Sequence, residues 1–209
     1  MLHFLLRWIA VLLLSVVAFL LLFSLMRIVR GGAAAVPSLS VSLSAPVAAV
    51  AGTPVASLSS VRGRPSLSVL FINRVLAAYG SPARGLGQAM YADSVRYGID
   101  DVFALAFFWH ESVFGRFGVA AVTHSVGNIV CTSGYPSCVG RFRSYASWQA
   151  GCLDWFRLIA TVYLPHGLTT VAAIVPVYAP ASDQNNVSAY CAAVLAAVKV
   201  WRSGRLEVS

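Results

Sequence analysis

The stretch DVFALAFFWHESVFG, residues 101–115, reads as a strongly apolar helix with Asp100 as its N-cap. The chain has seven acidic residues, and only Glu111 falls in the middle of such a helix. A carboxyl group beside Phe107, Phe108 and Phe114 would lose hydration, which raises its pKa and keeps a proton available near neutral pH. That is the property of a general acid. A glutamate on an ordinary helix would instead face solvent or cap a neighbour, so the apolar surroundings carry the weight here.

Helical patterns continue on both sides. Residues 67–79 close at Gly80, Ser81-Pro82 opens a new segment, and a second helix is predicted from about Leu86 to Tyr97, stopping at Gly98. After the quoted stretch, residues 115–147 are rich in Gly, Ser and Thr and predict a loop with a short, irregular β-ribbon. Ser147 caps a predicted helix from Trp148 to about Leu164, with Trp148, Cys152, Trp155, Ile159 and Val162 as its apolar stripe. A last helix from about Val187 to Trp201 carries Val187, Cys191, Val194, Val198 and Trp201. No internal repeat is visible.

The four cysteines are an even set in the C-terminal half, which suits disulfides in an oxidising compartment. Cys131 and Cys138 enclose the short loop TSGYPS and are expected to pair; Cys152 and Cys191 lie on two apolar stripes and are expected to pair if those helices meet. No metal site is expected. His110-Glu111 begins a zinc-protease motif, but Phe114 stands where the second histidine is needed, and no second cysteine pair follows at zinc spacing. Buried thiols on stripes are inert, which argues against a Cys-His peptidase.

Outside this region the composition changes twice. From Trp8 to Met26 there are 19 residues without a charge, enough to span a bilayer's hydrocarbon core at about 1.5 Å each. Arg27 and Arg30 separate this run from Ala33, so an uncleaved anchor is expected rather than a signal peptide; cleavage would leave a secreted protein. The following AAAVPSLSVSLSAPVAAVAGTPVASLSS, residues 33–60, has no acidic residue and no sustained period, and reads as a tether reaching to Pro65. The net charge of +8 comes from scattered arginines with one lysine, so nucleic acid is not expected; an anionic envelope is the simpler partner.

Four segments, taken in order, resemble the bacterial glucosaminidase family of peptidoglycan hydrolases. They are ALAFFWHESVFG (104–115), HSVGNIVC (124–131), RFRSYASWQAGCLDWFRLI (141–159) and PVYAPASDQNNVSAYCAAVLAAV (176–198). They are similar, respectively, to that family's glutamate-bearing helix, its Asn loop, its Phe-Arg-x-Tyr-x-Ser-Trp start of a helix, and its Tyr-Ala segment before a final helix. The resemblance covers roughly Asn73 to Trp201. It implies a mainly α, lysozyme-like helical domain with a small irregular or β lobe, cleaving β-1,4 bonds at N-acetylglucosamine. It also implies that Glu111 is the acid and that Tyr178 lines the reaction centre. Tyr190 matches a further family tyrosine, but on the last helix it reads as a core aromatic.

One departure bears on mechanism. Better-known members carry a second carboxylate between the Asn loop and the Phe-Arg-x-Tyr segment, whereas residues 128–145 contain no Asp or Glu. Substrate assistance, inversion with water held by Tyr178 or Asp183, and lytic transglycosylation therefore stay open, as does a non-catalytic wall-binding module. Asn128 is expected either to bind an acetamido group or to stabilise a turn, and Tyr145 to stack on a sugar; Asp154 reads as structural. The expected organisation is an anchor over 1–30, a linker over 31–65 and the domain over 66–209, with the domain outside the cytoplasm, peptidoglycan strands as partner and no cofactor.

Overall fold

The computed structural model describes residues 59–209; the expected anchor and residues 31–58 of the expected linker lie outside the described residues. The described residues are mainly helical, with seven α-helices and one two-stranded sheet. Helices α1 (Val69–Ala78), α2 (Gly87–Tyr97) and α3 (Asp101–Ser112) come first. Ser68 caps α1 through Phe71 N at 3.1 Å, and Asp100 caps α3 through Val102 N at 3.2 Å. A short α4 (Ala120–Thr123) leads to β1 (Cys138–Val139) and β2 (Phe142–Arg143), an antiparallel pair with Cys138 opposite Arg143. Next come α5 (Trp148–Leu158), α6 (Val171–Tyr178) and α7 (Val187–Arg202).

Every residue of α3 from Asp101 to Phe108 is buried, as a helix apolar on all faces must be. It packs against α2 and α7. Phe107 and Phe108 both meet Trp155 of α5, with ring centroids 5.4 and 5.3 Å apart. Gly151 lets α5 press onto the loop before it, because a Cβ there would lie 2.1 Å from the His124 carbonyl oxygen. After Leu158 the helix predicted to reach Leu164 changes to a single π-turn over Ile159–Tyr163 and a 3-10 turn at Leu164–His166 around Pro165. Helix α6 was not legible in the sequence: it is short, contains Pro176, and its Val/Ile-rich run VAAIVPVY has no clear period.

Two sequence expectations change. The linker does not reach Pro65, because Val61 is fully buried. Ser60 and Arg62 form antiparallel bridges with Thr170 and Ile99, and Val61 N donates to Thr169 O at 2.9 Å while its carbonyl accepts from Asp100 N at 2.9 Å. Residues 59–65 are thus held between the α2–α3 turn and the approach to α6. Cys131 and Cys138 are disulfide-bonded, but Cys152 and Cys191 are free thiols. Both lie on packed helices, yet α5 packs on α2 whereas α7 packs on α3 and α6, so the two sulfurs face different neighbours. Cys191 Sγ lies 4.0 Å from the Val171 carbonyl oxygen, and burial, with a smaller effect of the Asp93 charge, pushes the Cys152 thiol up.

Among the described residues no helix is long and apolar enough to cross a membrane, and no group of three His, Cys, Asp or Glu stands together for a metal ion.

Candidate active site

The C-terminal end of α3 brings Glu111 out of the apolar core into the wall of a cavity of about 190 Å³. The helix ends at the next residue, Ser112, because Val113 and Phe114 turn left-handed, at φ 47° and 58°. Ser112, next to Glu111, is anchored from its hydroxyl to the Val126 carbonyl at 2.8 Å, which ties the helix end to the loop carrying Gly127 and Asn128.

Two donors hold the Glu111 side chain. Tyr190 Oη donates to Oε1 at 2.6 Å, and Asn128 Nδ2 donates to Oε2 at 3.3 Å and to the Glu111 carbonyl at 2.8 Å. Burial raises the Glu111 pKa above the ordinary carboxylate value, while the Tyr190 and Asn128 hydrogen bonds pull it down; burial is the larger effect. Burial also lowers the pKa of neighbouring His110, whose ring lies 3.9 Å from that of Tyr190.

Asn128 has φ 47°, a turn conformation that Asn tolerates, so it serves the turn and Glu111 at once. Its Oδ1 is buried without a hydrogen-bond partner. Gly127 allows this turn to lie against the aromatic layer: a Cβ there would be 2.6 Å from Trp155 Cδ1 and 2.8 Å from the Tyr178 hydroxyl. Tyr178 donates its hydroxyl to the Gly127 carbonyl, and its ring meets Phe107 edge-on at 5.5 Å.

Asn128, Tyr178 and Asp183 all line the Glu111 cavity. Asp183, in the 3-10 turn Ala181–Asp183 after α6, is the other carboxylate in that wall and forms an ion pair with Arg141 of the β1–β2 hairpin. The same residues continue into a neighbouring cavity of about 460 Å³ walled by Ile129, Leu158, Val162 and Val177. The hairpin side is clipped by the Cys131–Cys138 disulfide.

Tyr145 is not brought to Glu111. Its hydroxyl donates to Asp154 Oδ2 at 2.8 Å, where Arg143 Nη1 also binds at 2.8 Å and Tyr135 Oη at 3.3 Å. Its ring lines a separate cavity. Asp154 thus holds the base of the hairpin to α5, the structural role read for it. Tyr190, read as a core aromatic, is buried but also touches the carboxylate. One signal was present: a tyrosine on the core face of α7 needs a partner for its hydroxyl. Arg141 carried no signal, being one of many scattered arginines.

The sequence matches no protein-family model, and no curated protein is significantly similar to it.

Proposed function

We propose that this chain is a membrane-anchored peptidoglycan hydrolase whose lysozyme-like helical domain works outside the cytoplasm, cutting β-1,4 bonds at N-acetylglucosamine with Glu111 as general acid. The carrying observation is the Glu111 carboxyl: it opens on a cavity, is held from two sides, and has its pKa raised by burial. Such a group keeps its proton at a pH where an ordinary carboxylate has lost it, and can deliver it to a departing glycosidic oxygen. Oε1 is tied by the short bond from Tyr190, whereas Oε2 has only the longer contact with Asn128. The transferable proton therefore belongs on Oε2.

Asp183 and Tyr178 are the groups for positioning a water on the same cavity. The Cys131–Cys138 disulfide supports an oxidising compartment, and the 19-residue apolar run supports the anchor. No cofactor enters the mechanism. Lytic transglycosylation is the second reading, favoured by the Arg141 pair that occupies Asp183 and leaves Glu111 as the one carboxyl without a cationic partner in the cavity.

A peptidoglycan zymogram of the parent beside Glu111→Gln tests the acid. Gln keeps the size and an acceptor for Tyr190 but has no proton to give, so activity should fall about 10²–10⁴-fold. Equal clearing by both proteins overturns the role of Glu111, and no clearing by the parent favours a wall-binding module. Mass spectrometry of the released fragments separates the two reactions: reducing N-acetylglucosamine ends mark hydrolysis, and anhydro ends mark transglycosylation.

A further inference from the structure

The Glu111 cavity is the first of four cavities that adjoin one another through shared lining residues. Through Asn128, Arg141, Tyr178 and Asp183 it shares walls with the 460 Å³ cavity, which in turn shares Arg143, Leu158 and Val162 with a cavity of about 260 Å³. That one shares Tyr135, Asp154 and Arg157 with a fourth, of about 560 Å³, whose far wall is Arg96 and Tyr97 at the end of α2.

The floor of the last three is a single helix face. Ala150, Leu153, Asp154, Arg157, Leu158 and Val162 line them at three- and four-residue spacing, which is one stripe of α5 and its π-turn, roughly 18 Å long. The opposite stripe of α5, with Cys152, Trp155 and Phe156, is buried in the core, so this helix is amphipathic with a grooved outer face.

The chemistry of the far end differs from that around Glu111. Tyr97, Tyr135 and Tyr145 present aromatic surface, with the Tyr135 and Tyr145 rings 6.2 Å apart and edge-on. Arg143 and Asp154 neutralise each other, and Arg143 lies 4.4 Å from the Tyr135 ring centre. Arg157 is exposed and forms no ion pair among the described residues; Arg96 stands 5.3 Å over the Tyr97 ring. Aromatic surface beside the uncommitted guanidinium of Arg157 fits a polymer with flat, weakly polar rings and pendant carboxylates.

Building on the hydrolase reading, we propose that the outer face of α5 is a distal binding platform for the same glycan strand, where Tyr97 stacks on a sugar ring and Arg157, with Arg96, binds the carboxylates of its peptide substituents. The strand then runs along α5 into the Glu111 cavity. This supplies a function for Tyr97 and Arg157, and places Tyr145 and Asp154 in the groove's wall rather than at the reacting bond.

The test uses the full-length chain in detergent with Glu111→Gln, so that the probe is not digested, and soluble peptidoglycan strands graded in length. Affinity should rise with strand length. For long peptide-bearing strands, Arg157→Glu and Tyr97→Ala should each weaken binding by about tenfold. Peptide-stripped strands should lose the Arg157 effect and keep the Tyr97 effect. Arg157 is exposed whereas the half-buried Tyr97 packs on the core, so circular dichroism and thermal unfolding of each variant check its fold. Affinity independent of length, or indifferent to both substitutions, overturns the platform, and does so without touching the hydrolase reading if the parent still cuts wall and Glu111→Gln does not. Length-dependent, Arg157-sensitive binding by a parent that cuts nothing upholds the platform and removes the hydrolase reading.

Discussion

Glu111 owes its state to two residues far away in the chain. Asn128 enters from the loop after α4, and Tyr190 from α7, 79 positions later. Because the Tyr190 hydrogen bond favours the ionised carboxylate, Tyr190→Phe should raise the Glu111 pKa further. Activity that needs the protonated acid is lost as pH rises through that pKa, so the alkaline limb of the pH profile should move to higher pH. A limb that stays in place or moves down excludes Tyr190 as the residue that sets Glu111. Glu111 was legible in the sequence because an acid within an apolar run is conspicuous. Tyr190 was under-read because its buried ring and its hydroxyl serve different purposes. Tyr145 lies away from Glu111, its hydroxyl bound to Asp154, because its place along the chain does not say which helix the hairpin base meets.

At the scale of the element, the start of α3 carries the clearest pH dependence. Asp101 accepts from Ser66 N at 3.0 Å and Leu67 N at 3.1 Å through Oδ1, while Oδ2 is buried without a partner. Burial pushes its carboxyl up to about 7, against the pull of those backbone bonds. A folded-state pKa above the unfolded one means that the folded chain holds the proton more tightly. The contribution to stability is therefore full below about pH 4 and is lost as pH rises through about 7. Asp93 on α2, raised to about 6 mainly by burial, acts in the same direction. The urea midpoint should fall between about pH 5 and about pH 8, and Asp101→Asn should flatten that slope. An Asn variant as steep as the parent rules out Asp101 as the source. The caps Asp100 and Ser147 made α3 and α5 readable, Gly80 and Gly98 the ends of α1 and α2, and an apolar stripe α7, because a cap and a periodic stripe are local features. The Cys152–Cys191 expectation failed at this scale: the stripes are correctly read as packed faces, but a stripe does not say which helix covers it.

For the whole described molecule, the boundary of the fold is the measurable quantity. Val61 is fully buried and hydrogen-bonds to two distant turns, so a chain beginning at Ser59 should unfold cooperatively, whereas one beginning at Ser66 loses that bridging segment. Removing one buried valine of about 1.5–3 kcal/mol should lower Tm by roughly 3–12 °C. Equal Tm values for the two chains would return residues 59–65 to the linker. The sequence alone determined the mainly helical class, the N-caps Asp100 and Ser147, the Cys131–Cys138 clip and the place of Glu111 on an apolar helix, because each depends on residues close together in the chain. It read residues 59–65 as linker, because a short extended segment with one apolar residue has no period. Only the tertiary structure decided that Tyr190 and Asn128 grip Glu111, that Arg141 pairs with Asp183, and that Asn128, Tyr178 and Asp183 line one cavity with Glu111. Those contacts join residues tens of positions apart, and which of several apolar stripes pack together is set by the shape of the assembled core rather than by any local pattern.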